Sequence, residues 1–214
     1  MSRFSRVSAP LANDTARKEA LALRRQIRQT WQPRRRCAQP RSLQEAGLES
    51  LTPAHVQAVL DAWNLGIQIR FYENTTATSQ QAADNIGCEL GQIVKSITFL
   101  VDGQPIVVLT SGDQRVDDKK LAAMHNVGRK KVKAASPEQC VAVFGYPPGS
   151  VPPLAYRTPG ITTYIDDSLR RYQQLYAAGG AHNAIFPITL DQLVQITGGQ
   201  VADVVRRETP DQAE

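Results

Sequence analysis

The feature that most restricts this chain is a hairpin between residues 93 and 110. Ile93-Val94-Lys95-Ser96-Ile97-Thr98-Phe99-Leu100 has the β-branched and aromatic content of a strand, and Asp102-Gly103 follows it. An Asp-Gly pair tolerates positive φ at both central positions of a two-residue turn, so the chain is expected to reverse there. Pro105–Thr110 then returns as the partner strand. Two strands joined this way pair antiparallel, and the rest of a domain must pack around them.

The remaining punctuation is regular from about residue 48. Thr52-Pro53 reads as an N-cap with proline at the first helical position, and the helix runs to about Asn64 before Gly66. Ile67–Tyr72 reads as a strand. Thr78-x-x-Gln81 is a capping box opening a short helix that stops at Gly87. Asp117–His125 reads as a helix and Lys131–Ala134 as a short strand. Ser136-Pro137-Glu138-Gln139 opens another helix, closed by Gly145. Residues 145–160 are rich in Pro and Gly. Thr162–Ile165, Gln174–Ala178 and Ala184–Ile188 read as strands, Thr189-x-x-Gln192 caps a last helix ended by Gly198-Gly199, and Gln200–Val205 adds a final strand. The expected fold is α+β: one domain over residues 46–207, with a mixed, mainly antiparallel sheet flanked by short helices. Residues 208–214 form a C-terminal tail.

Charge divides the chain differently. Residues 1–45 hold 11 Lys and Arg against 3 Asp and Glu, a net of +8, whereas residues 46–214 carry a net of −3. The leader contains Arg24-Arg25, Arg28 and Arg34-Arg35-Arg36, and residues 14–31 have loosely helical spacing. A basic arm for RNA, a targeting segment and a passive, poorly ordered tail all fit this composition, and the tail is the ordinary outcome. No apolar run is long enough to cross a bilayer. Cys37, Cys88 and Cys140 are odd in number and far apart, as are His55, His125 and His182. That argues for a reducing, cytoplasmic setting and against a disulfide framework or a zinc site.

Lys95 is the residue most at odds with its surroundings. Alternation along the strand places Ile93, Lys95, Ile97 and Phe99 on one face. An ammonium among three large apolar side chains is costly to bury unless it is paired or used. On its own, the strand is better read as an edge whose lysine stem covers apolar surface while its head reaches water. Ser96 falls on the opposite face. No GxGxxG, Walker, GxSxG or HExxH motif is present.

Three elements occur in a fixed order: Gln92-Ile93-Val94-Lys95-Ser96-Ile97, Gly149-Ser150-Val151-Pro152-Pro153 after Gly145-Tyr146, and Ala178-Gly179-Gly180-Ala181-His182-Asn183. Supporting them are Gln81-Ala82-Ala83-x-x-x-Gly87, Gly112-Asp113-x-Arg115-Val116-Asp117 and Ala134-Ala135-Ser136-Pro137-Glu138. Over about residues 50–205 this set resembles the YbaK and prolyl-tRNA synthetase insertion-domain family of aminoacyl-tRNA deacylases. The leader has no counterpart in the compact family domain.

The resemblance implies a trans-editing aminoacyl-tRNA deacylase that hydrolyses the ester of a mischarged tRNA. Its partners would be the aminoacylated 3′ end of tRNA and, as a further candidate, an aminoacyl-tRNA synthetase, with no membrane or DNA involved. A synthetase pocket gains only about 1–3 kcal/mol from one methylene, which is why a second, hydrolytic site is needed. By position, Lys95 matches the family lysine and Gly149 the loop glycine whose backbone approaches the ester, so these two carry the catalytic expectation. Ser150 and Pro153 in that loop, Gly112 and Asp113 after the partner strand, and Gly179, Gly180 and His182 at the glycine turn are implied as substrate-binding. No cofactor, metal or protein nucleophile is implied; water attacks an ester held by backbone and Lys95. A non-catalytic module that binds aminoacyl-tRNA or a synthetase is the competing reading.

The chain departs from the cysteinyl-tRNA branch of that family. It has Ala178-Gly179-Gly180 for Ser-Gly-Gly, Pro153-Leu154-Ala155 for Pro-Leu-Gly, and apolar Ile185 where that branch carries an acidic residue. The edited amino acid is therefore open. Arg129, Lys130, Lys131 and Lys133 could grip tRNA phosphates or form a solvated turn. His182 fits a solvated turn histidine better than a proton shuttle. Phe71 or Tyr72 could stack on the terminal adenine, although core packing is the commoner fate, above all for Phe71.

Overall fold

The computed structural model describes residues 49–207. The expected hairpin forms its centre. Strands β1 (Arg70–Phe71), β2 (Ile93–Val101), β3 (Gln104–Ser111), β4 (Val132–Ala134), β5 (Thr162–Asp166), β6 (Leu175–Ala178), β7 (Ala184–Ile188) and β8 (Gln200–Ala202) make one eight-stranded sheet, in the order β1-β7-β6-β2-β3-β5-β8 with β4 also on β2. Asp102 and Gly103 both take positive φ, and Val101 faces Gln104 across a two-residue turn. Four of the seven ladders are antiparallel, and β2–β6, β3–β5 and β5–β8 are parallel. The sheet is mixed, as expected.

Capping residues start the helices where the sequence predicts. In α1 (Pro53–Ala62) Thr52 is the N-cap, with proline opening the helix. In α2 (Ser79–Ile86) the Gln81 N–H donates to Thr78 Oγ1 at 3.2 Å, and Gly87 closes the helix in the left-handed region. α3 (Asp118–Met124) is capped by Asp117. The short α4 (Pro137–Gln139) runs into a π-turn over Cys140–Phe144, and α5 (Leu190–Thr197) starts at Thr189. No helix among the described residues is long and apolar enough to cross a membrane.

Two expected strands are shorter than the sequence suggests. Of Ile67–Tyr72 only Arg70 and Phe71 join a ladder, on β7. The α1 side chain of Gln57 takes over upstream: it donates to Ile67 O and accepts from the Ile69 N–H, both at 2.9 Å. Of Gln200–Val205 only the first three residues pair with β5; Val205 instead bridges Val116. The basic helix considered for residues 14–31 lies outside the described residues.

The two faces of the sheet are packed unequally. One face carries the main core, in which Val94, Val107, Leu109 and Ile165 meet Val56 and Leu60 of α1, Leu193 of α5, and Phe144, Tyr146 and Val151 of the following loop. The opposite face carries two separate clusters. Phe99, Val101, Ile106 and Val108 lie under Leu121 of α3. Ile93 and Ile185 lie under Ala82 and Ala83 of α2. Lys95 sits along β2 between these two clusters, so its strand face is apolar on both sides yet uncovered at its own position.

Candidate active site

The sheet is split beside Lys95. β6 pairs with β2 only at Ile93 and Val94, and β4 pairs only from Phe99 onward. Among the described residues no strand flanks that edge of β2 between those points. A cavity of about 270 Å³ opens at the gap, and residues of both faces of β2 line it: Lys95 and Ile97 from one, Ser96 from the other. Its other walls include Thr78, Ser79 and Ala82 at the start of α2, Gly149 and Val151 of the loop, and Ala178 and Ile185 from β6 and β7. The first turn of α2 therefore opens on the cavity, and the positive end of the helix dipole favours an anion there.

Lys95 is half-buried and donates from Nζ to Gln114 O at 2.5 Å. Burial pushes its pKa below the ordinary lysine value, Asp113 acts in the opposite sense, and Arg115 reinforces the lowering. Its hydrogen-bond partner is a neutral carbonyl, which orients the ammonium without neutralising it. Asp113, one residue earlier, is instead engaged by Arg171: NH1 and NH2 donate to its two oxygens at 2.9 and 2.7 Å. That fork holds the Asp113 carboxyl at about 2, below the usual range. Arg171 NH2 also donates to Ser111 Oγ at 2.8 Å, and Ser111 Oγ donates to Gly91 O.

Gly149 lines the cavity at φ +83°, and a Cβ there would lie 3.0 Å from Ala77 O and 3.4 Å from the His182 ring. A bare backbone is thus required where the loop meets the segment leading into α2. His182 is exposed, with its ring toward Gly149, and its carbonyl accepts from Thr76 Oγ1 at 2.9 Å, tying the Thr76 wall in place.

The other implied residues stand around this centre rather than in the cavity lining. Ser150 is buried, and its Oγ donates to Pro147 O at 2.9 Å within its own loop. Pro153 faces a separate groove with Leu154 and Ala155. A Cβ on Gly112 would meet Leu90 O at 2.1 Å, so that glycine is set by loop packing. Gly179 and Gly180 approach Ile69 and Ala184, and Tyr146 and Val56, respectively, while their neighbour Ala178 is the wall residue. Arg129 pairs with Asp118 at 2.7 Å and Lys131 with Asp102 at 2.8 Å; Lys130 and Lys133 form no ion pair among the described residues. This basic group flanks the far end of β2, about 13 Å or more from Lys95 at the usual strand rise.

Strand alternation placed Ser96 away from the cleft, and the split edge brings it in. Its Oγ is buried without a hydrogen-bond partner. The expectation for the aromatic pair is reversed: Phe71 is 64% exposed, because β1 is a two-residue edge strand exposed at both positions, whereas Tyr72 packs on the Ile93–Ile185 cluster. Arg171 carried no sequence signal, since its partner Asp113 is 58 residues away. Asp166, Asp167 and Asp203 bring carboxylates within 4.8 Å of one another, but none lines the cavity, and Asp203 is paired with Lys120 at 2.5 Å.

A family model described as an aminoacyl-tRNA editing domain matches residues 73–196. An uncharacterised protein of Bacillus subtilis (strain 168), YwhH, is 30% identical over 141 residues, covering 65% of this chain and 87% of that protein. A proline–tRNA ligase of Staphylococcus aureus (strain Newman) is 35% identical over 98 residues, 46% of this chain but only 17% of the ligase. A solved structure presented as a candidate trans-editing enzyme for prolyl tRNA synthetase superposes with a TM-score of 0.67 at 33% identity, covering 74% of this chain and 100% of that one.

Proposed function

Since this chain belongs to the aminoacyl-tRNA editing domain family, we propose that it is an aminoacyl-tRNA deacylase, hydrolysing in trans the ester between a mischarged amino acid and the 3′ end of tRNA. The observation that carries the reading is Lys95: an ammonium held half-buried in a cavity by a neutral carbonyl. A cation so placed is available to an anionic or developing negative charge, and its low-dielectric setting strengthens that interaction.

The chemistry follows from the walls. The ester carbonyl would lie between the Gly149 backbone and Lys95, with the terminal phosphate or ribose near the start of α2. Water attacks the carbonyl carbon, the negative charge on oxygen is met by Lys95 and by backbone N–H donors, and the C–O bond to the ribose breaks with a proton passing to the sugar oxygen. Donors aimed at the charge that develops lower the barrier more than they tighten ground-state binding. No cofactor enters this scheme. The tRNA body would extend toward Arg129, Lys130, Lys131 and Lys133, whose role is phosphate contact.

The lining also bears on the amino acid. Ala82, Ile93, Val94, Val151, Ala178 and Ile185 make much of the lining apolar, and Ser96 lines it while its Oγ is buried without a partner. We infer a short, uncharged side chain, with Ser96 in the wall against which it packs. Trans action and a link to prolyl-tRNA synthetase are supported by the candidate trans-editing protein that the fold matches. The deciding experiment is deacylation of a panel of tRNAs charged with alanine, serine, threonine, cysteine and proline. Hydrolysis of one or more short-side-chain substrates is expected. Tight binding of the panel without hydrolysis would replace this reading by the non-catalytic binding module.

A further inference from the structure

Arg171 makes more contacts than loop stability calls for. Its side chain is 42% exposed, and an ion pair that open to water contributes little to folding. Yet four donor contacts are fixed: Nε to Ser168 O at 2.9 Å, NH1 and NH2 to the two Asp113 oxygens, and NH2 to Ser111 Oγ. Its guanidinium also lies 5.1 Å from the Tyr172 ring, whose hydroxyl donates to Glu89 at 3.2 Å. The fork covers both oxygens of one carboxylate, and only an arginine can do this.

That carboxylate is the competitor Lys95 most needs kept away. Asp113 precedes Gln114, whose carbonyl holds the Lys95 ammonium, and the Gln114 N–H closes a turn on Ser111 O at 3.0 Å. Asp113 therefore lies next to the carbonyl that anchors Lys95, and its charge acts on that ammonium. A carboxylate left free there would draw the ammonium out of the cavity into an ion pair. A Lys95 neutralised in that way could not meet the ester oxyanion.

We propose that Arg171 is a positioning residue that occupies Asp113, so that Lys95 stays on the Gln114 carbonyl and its charge remains available to the substrate. The proposal rests on the deacylase reading for its consequence in catalysis, but not for the ion-pair exchange itself. It differs from a simple loop clamp in one respect: loss of Arg171 is more damaging than loss of both partners.

The test uses the full chain as wild type, Arg171→Ala, Asp113→Ala and the double variant, with two readouts. Against a mischarged tRNA that the wild type hydrolyses, Arg171→Ala is expected to lower kcat on the order of 10–100-fold with KM little changed, as for a displaced catalytic group. Adding Asp113→Ala should recover most of that loss. A double variant as slow as Arg171→Ala would overturn the proposal in favour of a plain clamp. The second readout needs no substrate: the titration of the Lys95 side chain followed by NMR of a 13C-lysine-labelled protein. A freed carboxylate favours the charged amine, so the Lys95 midpoint should rise in Arg171→Ala and fall back in the double variant. An unchanged midpoint in Arg171→Ala overturns the proposal. If the wild type hydrolyses nothing, the deacylase reading fails by itself and the titration alone decides the role of Arg171.

Discussion

Replacing Gly149 by alanine separates backbone strain from catalytic placement. Gly149 sits at φ +83°, where a Cβ costs about 1–2 kcal/mol. Restriction of the unfolded chain returns about 0.4–1 kcal/mol. The new Cβ would also stand 3.0 Å from Ala77 O, closer than a comfortable contact, so loop and α2 segment must separate by a few tenths of an ångström. The net expectation is a destabilisation of about 1–2 kcal/mol, or roughly 2–8 °C in Tm for a domain of this size. Because that shift moves the Gly149 backbone relative to Lys95, between which the ester is proposed to sit, kcat should fall by about tenfold while tRNA affinity holds. Gly160 is the control: it is exposed at φ +73° and a Cβ there meets nothing within 4 Å. Gly160→Ala should lower Tm comparably and leave the rate unchanged. Thermal melts and single-turnover deacylation of both variants are the assays. A Gly149→Ala protein with lowered Tm and wild-type kcat would refute the placement of this loop at the reacting centre.

Other expectations follow from single positions. Ala155 adopts φ +61°, the left-handed region, at the place where the cysteinyl-tRNA branch has glycine, so Ala155→Gly should stabilise the domain by about 0.5–1 kcal/mol in a denaturant titration. Ser96→Ala removes a buried hydroxyl without a partner; stability should hold or rise, while discrimination among the mischarged tRNAs changes, and an unaltered substrate ranking would exclude Ser96 from recognition. Deleting residues 1–45 should leave the melting transition in place and reduce the slope of log tRNA affinity against log salt by about one unit per lost phosphate contact; identical slopes would make the leader a passive or targeting segment.

The sequence carried the fold through its local chemistry. Asp102-Gly103 specified the central hairpin, and the Thr78, Ser136 and Thr189 capping boxes with their closing glycines located three of the helices, because those signals act over a few residues. Lys95 stands out as a charge on an apolar strand face, whereas Gly149 is singled out only through the resemblance of its loop to that of the family. What remained hidden depends on contacts distant in sequence. Ser96 reaches the cavity only because β6 and β4 leave β2 uncovered between Val94 and Phe99, which no two-residue alternation can report. The Ile67–Ile69 segment reads as strand yet is served by Gln57 from α1. Arg171 looks like any surface arginine until the fold brings it to Asp113.

The central claim is that the Lys95 charge in this cavity drives ester hydrolysis. Single-turnover deacylation by wild type and Lys95→Ala, on the mischarged tRNA that the wild type hydrolyses fastest, tests it most directly. A loss of about 10²–10³ in rate is expected, the cost of removing one charge-stabilising donor. Removing a half-buried charge should leave Tm unchanged or raised. The wild-type rate above background should decline with rising pH earlier than an ordinary lysine would allow, since burial lowers the pKa of Lys95 and the neutral amine cannot stabilise the oxyanion. A Lys95→Ala protein that is folded and turns over at the wild-type rate would contradict the account.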